Sequence, residues 1–276
     1  MAQPAVLGIT VEVGDAALSV AEPVVDRALG PGTRLVADAT RAILEVDGLA
    51  TFAVAHGDQI RAEPEPGLPR DALFPWLHSI VAALVLAQRG HFALHASVVG
   101  INGRAVALTG RGEAGKSTTG VRLAQSGHTL VSDDVSPLDV GDPVTVHPFG
   151  RPLYLSARTA AGLGLDTSRA APTASTPKLA FPLPAADPLP LGAVVALEAH
   201  DAAAGVDAVR VRGAHAHALI SANIFGAVLL HGLWDREMFA WAVEVASKVP
   251  VYVVTRPADG WTVDAVAQAV ERVATP

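Results

Sequence analysis

The chain contains no cysteine. Disulfides, thiolate catalysis and cysteine-ligated zinc are therefore excluded, and the composition fits a reducing, cytoplasmic setting. Lysine is almost absent too: Lys116, Lys178 and Lys248 are the three in 276 residues. Charged residues make up 17% and hydrophobic ones 50%, which excludes wholesale disorder and predicts a substantial core. The net charge of −7 comes with no basic stripe, so no nucleic-acid partner is expected. The first residues, MAQPAVLGITVEVGD, lack a basic start and meet Glu12 and Asp15 early, so no signal peptide is expected. The longest apolar stretch, Ala72 to Ala87, is broken by Pro75 and His78 and is short for a membrane span. It predicts a buried helix, with no membrane partner. No internal repeat is visible.

Against that background one segment stands out. GRGEAGKS, Gly110 to Ser117, fits the phosphate-binding pattern G-x-x-x-x-G-K-[ST] at every fixed position. Gly110 and Gly115 let backbone amides turn inward and approach phosphate oxygens. Arg111, Gly112, Glu113 and Ala114 form the wall of that cradle. Lys116 can reach the β- and γ-phosphates, Ser117 can offer its hydroxyl to Mg²⁺, and Thr118 extends the amide series into the helix. One of the three lysines thus falls on the position where the motif needs it. RAVALTG reads as a buried strand entering the loop, and STTGVRLAQSG as a short helix leaving it, closed by Gly127. A helix N-terminus beneath the phosphates adds its partial positive charge.

The flanking sequence predicts a mixed α/β fold: a phosphate-loop core with a mixed sheet over residues 71–276, preceded by a small, mostly-β accessory region over residues 1–70. Between Ala5 and Glu63, alternating or continuous apolar runs end in Gly-Asp turn signals. LFPWLHSIVAALVLAQRG predicts a helix ending at Gly90. FALHASVVGINGRAVALTG predicts a hairpin turning at Asn102-Gly103, which argues against a purely parallel sheet. Residues Pro143 to Pro190, rich in Pro, Ala and Thr, predict long loops. LGAVVALEA and VPVYVVTRP read as strands, and HALISANIFGAVLLHGL, MFAWAVEVASKV and TVDAVAQAVERVA as helices.

HTLVSDDV adds a second element of chemistry. Phosphoryl transfer to a hydroxyl needs a carboxylate near Mg²⁺ and a base for the hydroxyl proton. Asp133 and Asp134 close a strand one helix beyond Ser117. Successive strand residues point to opposite faces, so one carboxylate can face the metal and the other the acceptor. His215 and His217 lie two apart with no acidic or third histidine partner, so no metal site is expected there.

The run LHASVVGINGRAVALTGRGEAGKSTTGVRLAQSGHTLVSDDV, Leu94 to Val135, resembles the core of the HPr kinase/phosphorylase family. PLGAVVALE, RGAHAHALISANIFG and ASKVPVYVVTRP more weakly resemble the short HPr-kinase-like proteins of lasso-peptide and other peptide-modification gene clusters. The resemblance implies a kinase core like that family's C-terminal domain, using ATP and Mg²⁺. It implies Lys116 on the phosphates, Ser117 and Asp133 at the metal, Asp134 as base toward a serine hydroxyl, and His95 as the active-site histidine. The acceptor it implies is a peptide or small protein, such as a co-encoded precursor peptide, and it leaves homo-oligomer formation open. The family's Glu-bearing signature has no counterpart after Asp134; FGRPLYLS lies there instead. That departure counts against the reverse, phosphate-removing reaction and against HPr as the acceptor. Arg151 or Lys178 offers a further cation for the transferring group, although each alone reads as a surface charge. A nucleotide-binding regulatory or scaffold module, and a small-molecule kinase, remain as alternatives.

Overall fold

The computed structural model describes residues 5–15, 18–172, 177–201 and 204–274. Two compact units emerge, and the chain passes through the first twice. The first unit combines the residues up to Phe92 with Gly226–Met238; the second holds Ala93–Phe225 and Phe239 onward.

The first unit is built on a seven-stranded sheet in the order Ala5–Val6, Ile9–Val13, Gln59–Pro64, Ala50–Ala55, Arg41–Val46, Thr33–Ala37, Val25–Gly30. Its central strands alternate as the sequence does. Ala42 and Leu44, and Phe52 and Val54, are fully buried. Most neighbours are antiparallel, but Ile9–Val13 runs parallel to Gln59–Pro64. A continuous helical stretch, Arg70–Gln88, follows. Pro75 offers no amide to the preceding turn, and the helix widens into a π-turn at Leu77–Val81. This stretch is longer than its sequence suggested. By length and composition it is sufficient to cross a membrane, yet half of its most apolar window is buried within the protein. Arg27 fastens the returning segment, its guanidinium donating to the carbonyls of Val228, Leu229 and His231 at 2.9, 3.0 and 2.8 Å.

The second unit carries a nine-stranded mixed sheet. Its main path runs Thr129–Ser132, Ser97–Ile101, Arg104–Thr109, Leu189–His200, Val144–Val146, Ser136–Val140, Phe92–Leu94, with Val251–Pro257 also pairing Leu189–His200 and Asp207–Val211 beyond it. The hairpin turn falls at Asn102 and Gly103, both with positive φ (51° and 77°), as a two-residue turn requires. Arg104–Thr109, Leu189–His200 and Val251–Pro257 are mutually parallel. Thr129–Ser132 is antiparallel to the same strand that Arg104–Thr109 opposes, so all four point one way. Their C-terminal ends, where ligands of such sheets collect, share one edge.

The helices Lys116–Gln125 and Val263–Ala274 cover this sheet, sealing Leu108, Leu123, Val195, Leu197, Val254 and Val270. The 143–190 stretch is more ordered than its composition suggested. It contains the strands Val144–Val146, Leu153–Ser156 and Lys178–Phe181 and the helix Ala157–Gly162. The expected long helix from 217 to 233 is also broken. Gly213–Ala222 ends, Asn223–Gly226 is non-helical, and Ala227–Leu230 begins after Gly226 at φ 72°.

Candidate active site

The strand Arg104–Thr109 delivers the chain to Gly110, where the backbone must turn sharply. Gly110 has φ 135°, and a Cβ there would sit 2.6 Å from the Leu197 carbonyl oxygen. No other residue fits without moving the neighbouring strand. Glu113 (φ 65°) and Gly115 (φ 101°) add two further positive-φ positions before the helix starts at Lys116. Arg111, Gly112 and Glu113 are exposed, Ala114 is buried, and Gly115, Ser117 and Thr118 are half-buried. The Lys116 ammonium lies inside this loop, donating to the carbonyls of Gly110 at 2.8 Å and Arg111 at 3.3 Å. Burial pushes its pKa down; the charges of Asp134 and Asp133 push it up in part, while Lys178 adds to the fall.

The two carboxylates close the strand Thr129–Ser132 but do not belong to it. Asp134 has φ 70°, and the Val135 amide donates to the Asp133 carbonyl at 2.9 Å. This is a γ-turn of the strained, positive-φ kind. The expected divergence of the two side chains is therefore present, but the turn produces it rather than the pleat. Asp133 points inward and is buried; Asp134 keeps a third of its side chain exposed. Ser132 and Ser136 clamp the turn from either side. Their hydroxyls lie 2.8 Å apart, and Ser136 donates to the Ala96 carbonyl at 3.1 Å. That bond ties the turn to the segment carrying His95.

Asp134 is the hub of the site. One carboxylate oxygen meets His95 Nε2 at 3.2 Å, and the other is paired with the Arg151 guanidinium. Burial raises its pKa, but the His95 hydrogen bond and the charges of Arg151, His95 and Lys116 outweigh it and hold the carboxyl below its ordinary value. Arg151 is no surface charge: 14% of its side chain is exposed, and its guanidinium carbon lies 5.1 Å from the Tyr154 ring centre. Lys178 stays exposed, at the start of its own strand.

Asp133 behaves oppositely. Burial pushes its pKa up to about 6; the Ser117 hydroxyl opposes this, the Asp134 charge adds to it, and Ser97 and Arg151 oppose it. Asp133 Oδ1, Ser97 Oγ and Thr109 Oγ1 are buried without completing a hydrogen bond. The Asp133 carboxylate, with the Ser117 and Ser97 hydroxyls next to it, suits the oxygen-only ligand set of Mg²⁺. Among the described residues no group of three or more His, Asp or Glu is arranged to hold a metal by itself. A Mg²⁺ ion here would share its coordination with phosphate and water.

Two contributors were not singled out in the sequence. Asn223 accepts the Gly110 amide on its side-chain oxygen at 3.0 Å. Arg256, at the end of Val251–Pro257, donates to the Ala114 carbonyl at 3.4 Å and to the Pro257 carbonyl at 2.8 Å. Neither belongs to a local motif: parallel pairing across the sheet brings Arg256 to the loop, and the end of the helix Gly213–Ala222, bridged to Leu94 through Ile224, brings Asn223. His215 and His217 lie on the helix Gly213–Ala222, where His217 packs edge-on against Phe239 with ring centres 4.7 Å apart.

No family model matches the chain. No curated protein matches it either. Among solved structures, it is similar to the Hpr(Ser) kinase/phosphatase from Coxiella burnetii, with 13% identity and a TM-score of 0.38. The likeness covers 65% of this chain and 88% of that one.

Proposed function

We propose that the protein is an ATP- and Mg²⁺-dependent kinase that phosphorylates a hydroxyl, most readily a serine of a peptide or small protein. The observation that carries this reading is the placement of Asp134. An ionised carboxylate sits in a strained turn, part-exposed, hydrogen-bonded to His95 and paired with Arg151, close enough to Lys116 for the two to perturb each other. A structural turn has no need of that arrangement, and strain of this kind collects at functional sites.

The roles follow from the chemistry of the residues. The amides of the Gly110–Ser117 loop beyond Gly110, whose own amide is held by Asn223, and the Lys116 ammonium bind the phosphates. Ser117 and Asp133 are the residues that would hold Mg²⁺, which when bound neutralises charge across the β- and γ-phosphates. Asp134 accepts the acceptor's hydroxyl proton as the oxygen–γ-phosphorus bond forms and the bond from γ-phosphorus to the β-phosphate oxygen breaks, leaving ADP. Its low pKa keeps it ionised and ready at neutral pH, at the cost of proton affinity. His95 and Arg151 orient the carboxylate. The chemistry is assigned to residues 71–276, with the strands of residues 1–70 accessory, in a cytoplasmic protein.

Purified protein incubated with ATP, Mg²⁺ and a peptide encoded by a neighbouring gene should yield a peptide heavier by one phosphoryl group. Asp134→Asn should bind ATP and transfer far more slowly than the parent. If Asp134→Asn transfers as fast as the parent, the base is misassigned. Tight ATP binding lost in Lys116→Ala, with no phosphorylated product from any co-encoded partner, would instead make the protein a nucleotide-binding regulatory module.

A further inference from the structure

One residue reaches both halves of the site, with its side chain at one end and its backbone carbonyl at the other. Asn223 follows the helix Gly213–Ala222, and its Nδ2 donates to the Leu219 carbonyl at 2.8 Å. That bond fixes which way the amide faces and leaves Oδ1 as the acceptor for the Gly110 amide at 3.0 Å. The backbone carbonyl of Asn223 accepts the His95 amide at 2.8 Å. The neighbours reinforce the second contact. Ile224 bridges Leu94, the Phe225 amide donates to the Ala93 carbonyl at 2.8 Å, and the Phe225 ring meets the His95 ring edge-on at 6.0 Å.

The consequences differ at the two ends. At the donor end, the first amide of the phosphate loop is committed to protein, so the amides left for phosphate start later in the loop. The space around Gly110 is tight, since a Cβ there would sit 2.6 Å from the Leu197 carbonyl oxygen. At the acceptor end, the bonded backbone is that of His95, whose imidazole holds Asp134. A single residue therefore sets the separation between the cradle of the transferred group and the carboxylate that receives the proton. The helix break at 223–226 has a purpose in this light. A continued helix would turn the Asn223 carbonyl back into its own ladder and away from His95.

We infer that Asn223 is a positioning residue that fixes the register between the donor loop and the His95–Asp134 pair. The inference rests on the kinase reading for its catalytic meaning but not for its structural content. The full-length protein would be compared with Asn223→Ala and Asn223→Asp by amide hydrogen exchange and by ATP turnover with Mg²⁺ and the peptide encoded by a neighbouring gene. In Asn223→Ala, exchange should rise at least tenfold at both Gly110 and His95, although the His95 bond is to backbone. Turnover at saturating ATP should fall at least tenfold while the ATP dissociation constant moves less than threefold. Asn223→Asp keeps an oxygen for Gly110 but faces the Leu219 carbonyl with a second acceptor. It should restore Gly110 protection and not His95 protection, which separates a positioning defect from failure to fold. Parental exchange at His95 in Asn223→Ala would overturn the inference and make Asn223 a plain helix terminator, as would loss of turnover in strict proportion to loss of folded protein. A parent that turns over no ATP but shows the paired exchange change would sink the kinase reading and leave the strut standing.

Discussion

Replacing Asp133 by asparagine should make the protein more stable and less active, by an amount that depends on pH. The carboxyl ionises near 3.8 when unfolded and at about 6 when folded, because burial disfavours the charged form. Below about pH 4 both states are protonated and the residue costs nothing on this account. Between about pH 4 and pH 6 the unfolded chain is ionised while the folded one holds its proton, so stability falls as pH rises. Above pH 6 both are ionised, and the folded state carries the whole penalty. At roughly 1.4 kcal/mol per pKa unit, a rise of about two units corresponds to about 3 kcal/mol. Coupling to Asp134, and an amide that fills the same space less well, bring the expected gain of Asp133→Asn to about 1–3 kcal/mol at pH 8. For a unit of this size that is roughly 2–10 °C in melting temperature. The assay is thermal melting of parent and variant in magnesium-free buffer from pH 4 to pH 8, following the transition that nucleotide shifts, since two compact units need not melt together. Taking the difference between the proteins cancels the other titrating groups. It should be near zero at pH 4 and reach its plateau just above pH 6. Mg²⁺ with ADP should then stabilise the parent more than the variant, because the ligand binds the folded state through the deleted carboxylate. A variant no more stable than the parent at pH 8, or a gain as large at pH 4 as at pH 8, would refute the burial argument.

Other substitutions probe the remaining parts. Lys116→Ala should weaken ATP binding at least a hundredfold by isothermal titration, because the loop loses its buried cation. Asp134→Asn should lower phosphoryl transfer by roughly 10²–10⁴ with ATP affinity within a few-fold, the range for a removed general base. Arg151→Gln removes a charge that depresses the Asp134 pKa, so the acid limb of the pH–rate profile should move to higher pH; an unmoved limb would show that Arg151 does not set it. Gly120→Ala would drive a methyl group into Ser97 Oγ and against Leu130. Denaturant melts should show a loss of about 1–3 kcal/mol, part of it recovered in the double variant with Ser97→Ala.

What could be read in the sequence, and what could not, divides along one physical line. The loop, the strand before it and the helix after it are local: glycine at fixed offsets, an apolar run, an amphipathic turn. The hairpin at Asn102-Gly103 is local in the same sense, since two positive-φ residues dictate it. The carboxylate pair was visible because only one helix separates it from Ser117. Its geometry was not, because nothing in SDDV announces a γ-turn at Asp134; that turn is held by Ser132 and Ser136 against the Ala96 carbonyl. Arg151 illustrates the same limit. Seventeen residues beyond Asp134, it reads as a surface charge until the chain between them folds and makes it the carboxylate's partner.

Asn223 and Arg256 lie furthest from legibility, and for a reason that also says what kind of site this is. Both meet the loop through backbone carbonyls and amides, which any sequence supplies, so neither needs a recognisable neighbour. Contacts of that kind specify position rather than chemistry. Lys116, Asp133 and Asp134 can be recognised by what they are; Asn223 can be recognised only by the two places it touches. A transferring site needs both classes, because an active carboxylate an ångström out of register loses most of its rate. The glycine at 110 then acquires a second constraint. It presents its amide to Asn223 at a place where a Cβ would collide with the Leu197 carbonyl. The loop is therefore fixed from the sheet side and the helix side together, which leaves the later amides and the Lys116 ammonium as the parts that can answer to a bound nucleotide.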